Sequence, residues 1–111
     1  MNEKDKRYAE TIIDYCDRIN DYLNRFDNDK DTYMSDNLYK DACAWVIIQM
    51  GEFANRFSDE FLDEYDGIEW GQLIGFRNIA AHNYENVMDD VVWEIIQEDV
   101  PKIKEYLESI L

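Results

Sequence analysis

The regular spacing of apolar residues is the feature that most limits how this chain can fold. Over residues 3–26, large apolar side chains recur at alternating intervals of four and three, at Tyr8, Ile12, Tyr15, Ile19, Tyr22 and Phe26. This spacing places them on one face of an α-helix. Only four glycines and one proline occur among the 111 residues, so few positions would interrupt such helices. We therefore predict an all-α protein.

A second helix is predicted after the polar loop 27–31, from an N-cap at Ser35 or Asp36 to about Phe57. Its core face is expected to contain seven apolar residues: Leu38, Ala42, Trp45, Val46, Met50, Phe53 and Phe57. Ser58 should cap a short acidic helix over residues 59–65, before an Asp-Gly pair interrupts the chain.

A third main helix should begin near Trp70, and a final helix should run from residue 88 or 89 to residue 111. Gly71 and Gly75 lie four residues apart on the third helix, where we expect close packing against another backbone. Pro101 should kink the final helix or restart it as a first helical residue. We predict an up-and-down bundle of four to five helices, forming a single domain over residues 1–111.

The charge balance is strongly acidic: 26 Asp and Glu against 11 Lys and Arg give a formal net charge of −15. Such a surface argues against nonspecific binding to nucleic acid, because phosphate contacts need clustered cations. It is consistent either with a solvated acidic surface or with a surface for a basic protein partner.

The two cysteines and the hydropathy bear on the compartment. Cys16 and Cys43 lie in apolar helical patterns without a CxxC motif, which indicates buried thiols in a reducing environment. No apolar run approaches the ~20 residues of a membrane span. We expect a cytoplasmic protein with no membrane partner.

The chemistry of the chain is concentrated in residues 77–84. The sequence has no phosphate-binding glycine loop and no HExxH motif, and His82 is the only histidine, so we predict no metal site and no cofactor. Arg77 is the only Lys or Arg between Phe57 and Pro101. It could pair with a neighbouring carboxylate, with His82 and Tyr84 simply polar residues at a helix end, or it could belong to a site.

Helix geometry restricts how such a site could assemble. At about 100° per residue, Arg77 and His82 point about 140° apart on one straight helix. Either the helix ends before His82, so that the imidazole folds back, or a second subunit completes the site.

The motif and its flanks resemble the HepT-like toxins of the HEPN superfamily. Their signature is an Arg, four residues, a His, one residue and a Tyr, matched here by Arg77, His82 and Tyr84. Residues 48–58, which include Gly51-Glu52, look like the family's glycine–glutamate block. Residues 70–84 look like its Trp–Gly–Met–Arg–Asn block, and residues 92–101 resemble its closing helix. The likeness covers residues 3–111 and implies a HEPN-like helical bundle.

The resemblance implies a metal-independent endoribonuclease that acts as the toxin of a type VII-like toxin–antitoxin pair. In such a family two subunits form a homodimer with a shared cleft, and a minimal nucleotidyltransferase is the antitoxin. Arg77 and His82 would be catalytic, with Asn78 and Tyr84 contacting RNA or supporting Arg77. Tyr84 would also be the residue that the antitoxin modifies with AMP. Glu52 would either orient the site or simply be a pairing residue on the helix surface.

Two other functions remain open at this stage. One is an acidic helical interaction module that no longer cleaves RNA but docks a nucleotidyltransferase partner. The other is a nucleotide-binding regulator in which Arg77 holds a phosphate without catalysis.

Overall fold

The chain is an all-α bundle, as predicted. The computed structural model describes residues 1–82 and 87–111, with side chains described outside residues 78–88. The helices are α1 (Glu3–Arg25), α2 (Lys30–Ser35), α3 (Asn37–Ala54), α4 (Asp59–Glu64), α5 (Trp70–His82), α6 (Val87–Glu94) and α7 (Val100–Ile110), with a π-helical segment (Ile95–Asp99) joining the last two. Four long helical units (α1, α3, α5 and the rod from α6 to α7) make the bundle, and α2 and α4 lie in its connections.

Side-chain caps fix where four of these helices begin. Asn2, Asp29, Asp36 and Ser58 each accept a hydrogen bond from the backbone N–H three residues further on. A cap of this kind is worth about 1 kcal/mol. The predicted caps at Asp36 and Ser58 are confirmed, whereas α2 was not predicted, because six largely polar residues are too short to show a helical period.

The core lies around α3, which packs most extensively against α5 and α1. The fully buried residues of α1 are Ala9, Ile12, Cys16 and Ile19, and the tyrosines of the predicted stripe lie at its edges, half-buried. On α3 the buried residues include Val46, Ile47 and Met50. The prediction of a core position was wrong for Leu38 and Trp45, which are 74% and 50% exposed. α3 is apolar around much of its circumference, so its period alone did not distinguish its outer face.

The final helical segments follow one another without a break in the chain, but their hydrogen-bonding pattern changes. Its backbone adopts a π turn at Ile95–Asp99, in which the Val100 N–H donates to the carbonyl of Ile95. Pro101, near the start of α7, has no N–H to donate to the turn before it. The π turn therefore lies directly before the proline, where the sequence predicted a kink or a restart.

Cys16 and Cys43 are free and buried, as predicted. Burial raises the pKa of each thiol to about 12. Among residues 1–82 and 87–111, no helix has both the length and the apolar character needed to span a bilayer.

Candidate active site

Gly51 sets the distance between α3 and α5 at the site. A Cβ placed on Gly51 would lie 2.6 Å from the carbonyl oxygen of Leu73 and 3.6 Å from the Cβ of Arg77. No other residue type fits there without moving the helices apart. The glycine that the sequence placed in a family-like block therefore brings the Arg77 turn of α5 directly against α3.

Glu52, the residue after Gly51, forms an ion pair with Arg77. Its Oε1 lies 3.2 Å from Nη1 of the guanidinium, and the side chains are 37% and 26% exposed, respectively. Solvated pairs of this kind contribute only about 0–1 kcal/mol to stability. The principal effect of the contact is to hold the guanidinium in one orientation at the surface of α5.

α5 continues through His82, so the alternative in which the helix ends before this histidine is wrong. The positions of Arg77 and His82 are therefore about 140° apart around the helix and about 7.5 Å apart along its axis. The side chains of Asn78 and His82, and all of Tyr84, lie outside the described part of the structure.

His82 shares a stripe of α5 with the two glycines. Gly71, Gly75, Asn78 and His82 follow one another at intervals of four, three and four, which is the spacing of one helix face. Among the residues that the structure describes, nothing lies within 4 Å of a Cβ added at Gly71 or Gly75. The prediction of close packing at these two glycines is therefore wrong for the described part of the protomer.

No cation-binding cluster accompanies these residues in the part of the chain described. Within residues 1–82 and 87–111, no three His, Cys, Asp or Glu side chains are grouped as metal ligands would be. The structure places the Arg77 guanidinium at the site, held by the Glu52 carboxylate. The same helix, α5, carries His82, the chain's single histidine.

This helical fold, with an arginine and a histidine five residues apart on one helix, is that of a ribonuclease domain of the HEPN type. A family model described as "Ribonuclease HepT-like" matches residues 12–110. The chain belongs to the HepT-like ribonuclease family.

Individual relatives agree with that assignment. A "Putative RNase" of Methanocaldococcus jannaschii is 24% identical over 111 residues, which are 99% of this chain and 100% of that protein. A "Probable ribonuclease HepT" of Thermococcus cleftensis is 22% identical over 110 residues, which are 99% and 98% of the two chains. A "Putative RNase" of Caldanaerobacter subterraneus is 21% identical over 104 residues, covering 94% of this chain and 91% of that protein. No solved structure matches the chain at a significant level.

One surface feature was missed by the sequence interpretation. Half-exposed aromatic rings and arginines lie together along the outer seam between α1 and α3. The signal was present in the sequence, because the tyrosines of α1 repeat every seven residues beside cationic positions, but these rings were assigned to the core.

Proposed function

We propose that the protein is a metal-independent endoribonuclease whose active site forms between two copies of the chain. The observation that carries this proposal is the geometry of α5. Glu52 holds Arg77 at the surface, while the same helix carries His82 about 140° away. One helix cannot bring both side chains to a single phosphate, whereas two copies related by a two-fold axis can.

The glycine stripe supports the homodimer. Gly71 and Gly75 offer a helix surface without side chains, and His82 continues the same face. Another backbone can approach such a stripe closely. A second α5 packed here would bring the two histidine positions toward each other.

The chemistry requires no group beyond these residues. The 2′-hydroxyl of the RNA attacks the adjacent phosphorus, a P–O bond to the 5′-oxygen breaks, and a 2′,3′-cyclic phosphate remains. A neutral imidazole takes the proton from the 2′-hydroxyl, and an imidazolium gives one to the leaving 5′-oxygen. An unperturbed histidine titrates near pH ~6.5, so both forms are accessible near neutrality. The histidines of two chains would supply both proton transfers.

Arg77 would stabilise the negative charge that grows on the phosphate oxygens. The planar fork of a guanidinium matches the geometry of a phosphate. Glu52 would act as a positioning residue by holding that guanidinium. Asn78, one residue further, would contact the phosphate or support Arg77.

Cleavage assays in EDTA test the mechanism. We expect the wild-type chain to cut single-stranded RNA in EDTA and to leave cyclic phosphate ends, and we expect Arg77→Ala and His82→Ala to remove the activity while both remain folded. Lys6→Ala is the control for loss of a positive charge elsewhere. A strict magnesium requirement, or full activity in His82→Ala, would contradict the mechanism.

Mixing experiments test the shared site. If one cleft needs histidines from both chains, an equal mixture of wild-type and His82→Ala protein should retain about a quarter of the activity after subunit exchange. Sites contained in single chains would retain half. A monomer at micromolar concentration by light scattering would also contradict the shared site.

We propose further that the enzyme is a toxin restrained by a minimal nucleotidyltransferase, which transfers AMP to Tyr84. Tyr84 follows His82 by two residues, so an added phosphate there would compete with RNA for Arg77, and the adenosine would obstruct the cleft. Coexpression with the nucleotidyltransferase should add one AMP mass to the wild-type chain and none to Tyr84→Phe. Growth arrest by the unmodified chain, absent for His82→Ala, would distinguish a toxin from a non-catalytic docking module.

A further inference from the structure

A continuous row of aromatic rings follows the outer seam between α1 and α3. Tyr8 and Phe53 have ring centroids 6.1 Å apart, Phe53 and Tyr15 are 5.9 Å apart, and Tyr15 and Trp45 are 6.2 Å apart. Tyr8, Tyr15 and Phe53 are half-buried, and Trp45 is half-exposed at the end of the row. We call these four residues the aromatic row.

Two guanidiniums lie directly on this row. The Cζ of Arg56 is 4.4 Å from the ring centroid of Phe53, and the Cζ of Arg18 is 5.1 Å from that of Tyr15. Both arginines are exposed. The cation–π contacts hold the guanidiniums beside the rings, where they can contact an anion or stack on a base.

Further cations of α1 fall on the same side of the helix. Lys4, Arg7 and Arg25 precede or follow Arg18 at spacings that place all four within about 60° of one another around the helix. The tyrosines of the aromatic row lie next to this stripe. Three acidic residues of α1, Glu3, Asp14 and Asp21, lie along the outer edge of this stripe, each three or four residues from one of its arginines.

Four of the cations elsewhere on the molecule are held in ion pairs, whereas Lys6 and Lys102 have none with the described residues. Lys30, Lys40, Arg77 and Lys104 are each within 4 Å of a carboxylate, on Asp90, Asp89, Glu52 and Asp17 respectively. In the part of the chain that the structure describes, the five cations beside the aromatic row show no such ion pair. On a chain with a net charge of −15, five cations without a close ion pair to any described residue, along one side of α1 and the aromatic row, offer a surface that can contact a polyanion.

The aromatic row is contiguous with the proposed catalytic arginine. Arg56 lies in the turn directly after α3, four residues beyond Glu52, and its guanidinium lies over Phe53, the residue next to Glu52. Glu52 in turn contacts Arg77. An extended strand bound at Arg77 could therefore continue past Arg56 onto the rings.

We propose that the aromatic row, with Arg18 and Arg56, is a stacking platform for single-stranded RNA on one side of the cleavage site. This inference rests on the proposed ribonuclease function and adds the form in which the substrate binds. Bases would stack on Trp45 and on the guanidinium planes, and the cations of α1 would contact phosphates. Such a surface contacts the faces of unstacked bases and the charged phosphates of the backbone. It therefore favours unpaired RNA over a duplex and has little sequence preference.

Binding to a short single-stranded oligonucleotide with 2′-O-methyl riboses tests the platform independently of cleavage. The Arg18→Gln/Arg56→Gln double variant should bind at least tenfold more weakly, and its slope of log affinity against log salt should be shallower by about 1.4, since each phosphate contact on a single strand contributes ~0.7. The matched control is Lys6→Gln/Lys102→Gln, which changes the net charge equally away from the row and should change the affinity less than twofold.

Tryptophan fluorescence adds a local readout. Trp45 is half-exposed, whereas Trp70 is buried, so a stacked base should quench emission from Trp45, and Trp45→Phe should abolish the quench. Equal loss of affinity in the two double variants, or a quench that persists in Trp45→Phe, would overturn the platform. Wild-type protein that binds the oligonucleotide but does not cleave RNA would contradict the ribonuclease function and leave the platform standing.

The opposing possibility is that a second copy of the chain covers the row. In that case acrylamide would quench Trp45 less as the protein concentration rises without oligonucleotide, and Trp45→Ala would convert the oligomer to monomer. Either result would assign the row to a protein interface and overturn the proposal.

Discussion

Replacing Gly51 by alanine should loosen the bundle at the position that holds Arg77. The new Cβ would lie 2.6 Å from the Leu73 carbonyl oxygen, which belongs to helical backbone and cannot rotate away. Ordinary contact requires about 3.4 Å, so α5 must move by about 0.8 Å relative to α3. Overpacking against fixed backbone falls in the upper part of the usual range, at about 2–3 kcal/mol, while exchanging glycine for alanine within a helix offsets about 1 kcal/mol of that cost.

We expect Gly51→Ala to lower the free energy of unfolding by about 1–2 kcal/mol. For a chain of this size the melting temperature should fall by about 4–8 °C. Ribonuclease activity should fall further than stability does, because the displaced turn carries Arg77. Thermal melts by circular dichroism, with RNA cleavage measured well below the melting temperature, provide the two readouts.

Gly71→Ala and Gly75→Ala are the matched controls, since both lie on α5 and no atom of the described residues comes within 4 Å of an added Cβ. Each should raise the stability of the isolated protomer by up to about 1 kcal/mol. If the proposed dimer packs over this stripe, the same two variants should weaken dimerisation. A Gly51→Ala melting temperature equal to or above that of the wild type would refute the reasoning on the α3–α5 contact.

Three further predictions concern groups away from α5. Asp5 is 2% exposed and accepts hydrogen bonds from the N–H and the hydroxyl of Ser58, at 2.9 and 2.5 Å. Asp5→Ala should therefore lower the free energy of unfolding, measured in urea melts, by about 2–4 kcal/mol. Asp14 is exposed, so the control Asp14→Ala should change the free energy of unfolding by less than about 0.5 kcal/mol. Burial raises the pKa of Cys16 and Cys43 to about 12. In native protein at pH 8.5, iodoacetamide should therefore label these thiols about a thousandfold more slowly than an exposed thiol. Rapid labelling without unfolding would contradict this expectation. Hydrogen bonds from the hydroxyl and the N–H of Thr32 lower the pKa of Asp29. The stabilisation from this cap is therefore fully present above pH 3.8 and is lost as the pH falls through the lowered pKa. The free energy of unfolding plotted against pH in this acid range should be flatter for Asp29→Asn, and an unchanged curve would refute the cap's contribution.

The sequence predicted the elements of the fold well because the signals were local. Asp36 and Ser58 stand immediately before apolar helical patterns, and each is observed as an N-cap. The short helix α2 gave no such signal, since only Tyr33 of its six residues is buried.

The residues of the candidate site could be predicted from the sequence, but the contacts between them could not. The motif located Arg77 and the Gly51-Glu52 pair, yet nothing in their spacing shows that Glu52 and Arg77 meet, because they lie 25 residues apart on different helices. The sequence also could not predict that Trp45 is exposed, since an apolar residue on a largely apolar helix can face either the core or the solvent. Such outcomes depend on how α1, α3 and α5 pack together.

The π segment before Pro101 behaves as a one-residue insertion in an otherwise α-helical rod. Its wider turn allows the buried residues Val92, Ile96 and Val100 to follow one another at successive intervals of four, and α7 continues on the same side with Ile103 and Leu107. Deleting one residue between 95 and 99 should convert the π turn to an α turn and leave Ile103 and Leu107 facing the core, because the lost residue and the narrower turn compensate. Inserting a further residue there should instead rotate everything after it by about 100° and take both side chains out of the core. The turn should therefore tolerate the loss of one residue but not the gain of one.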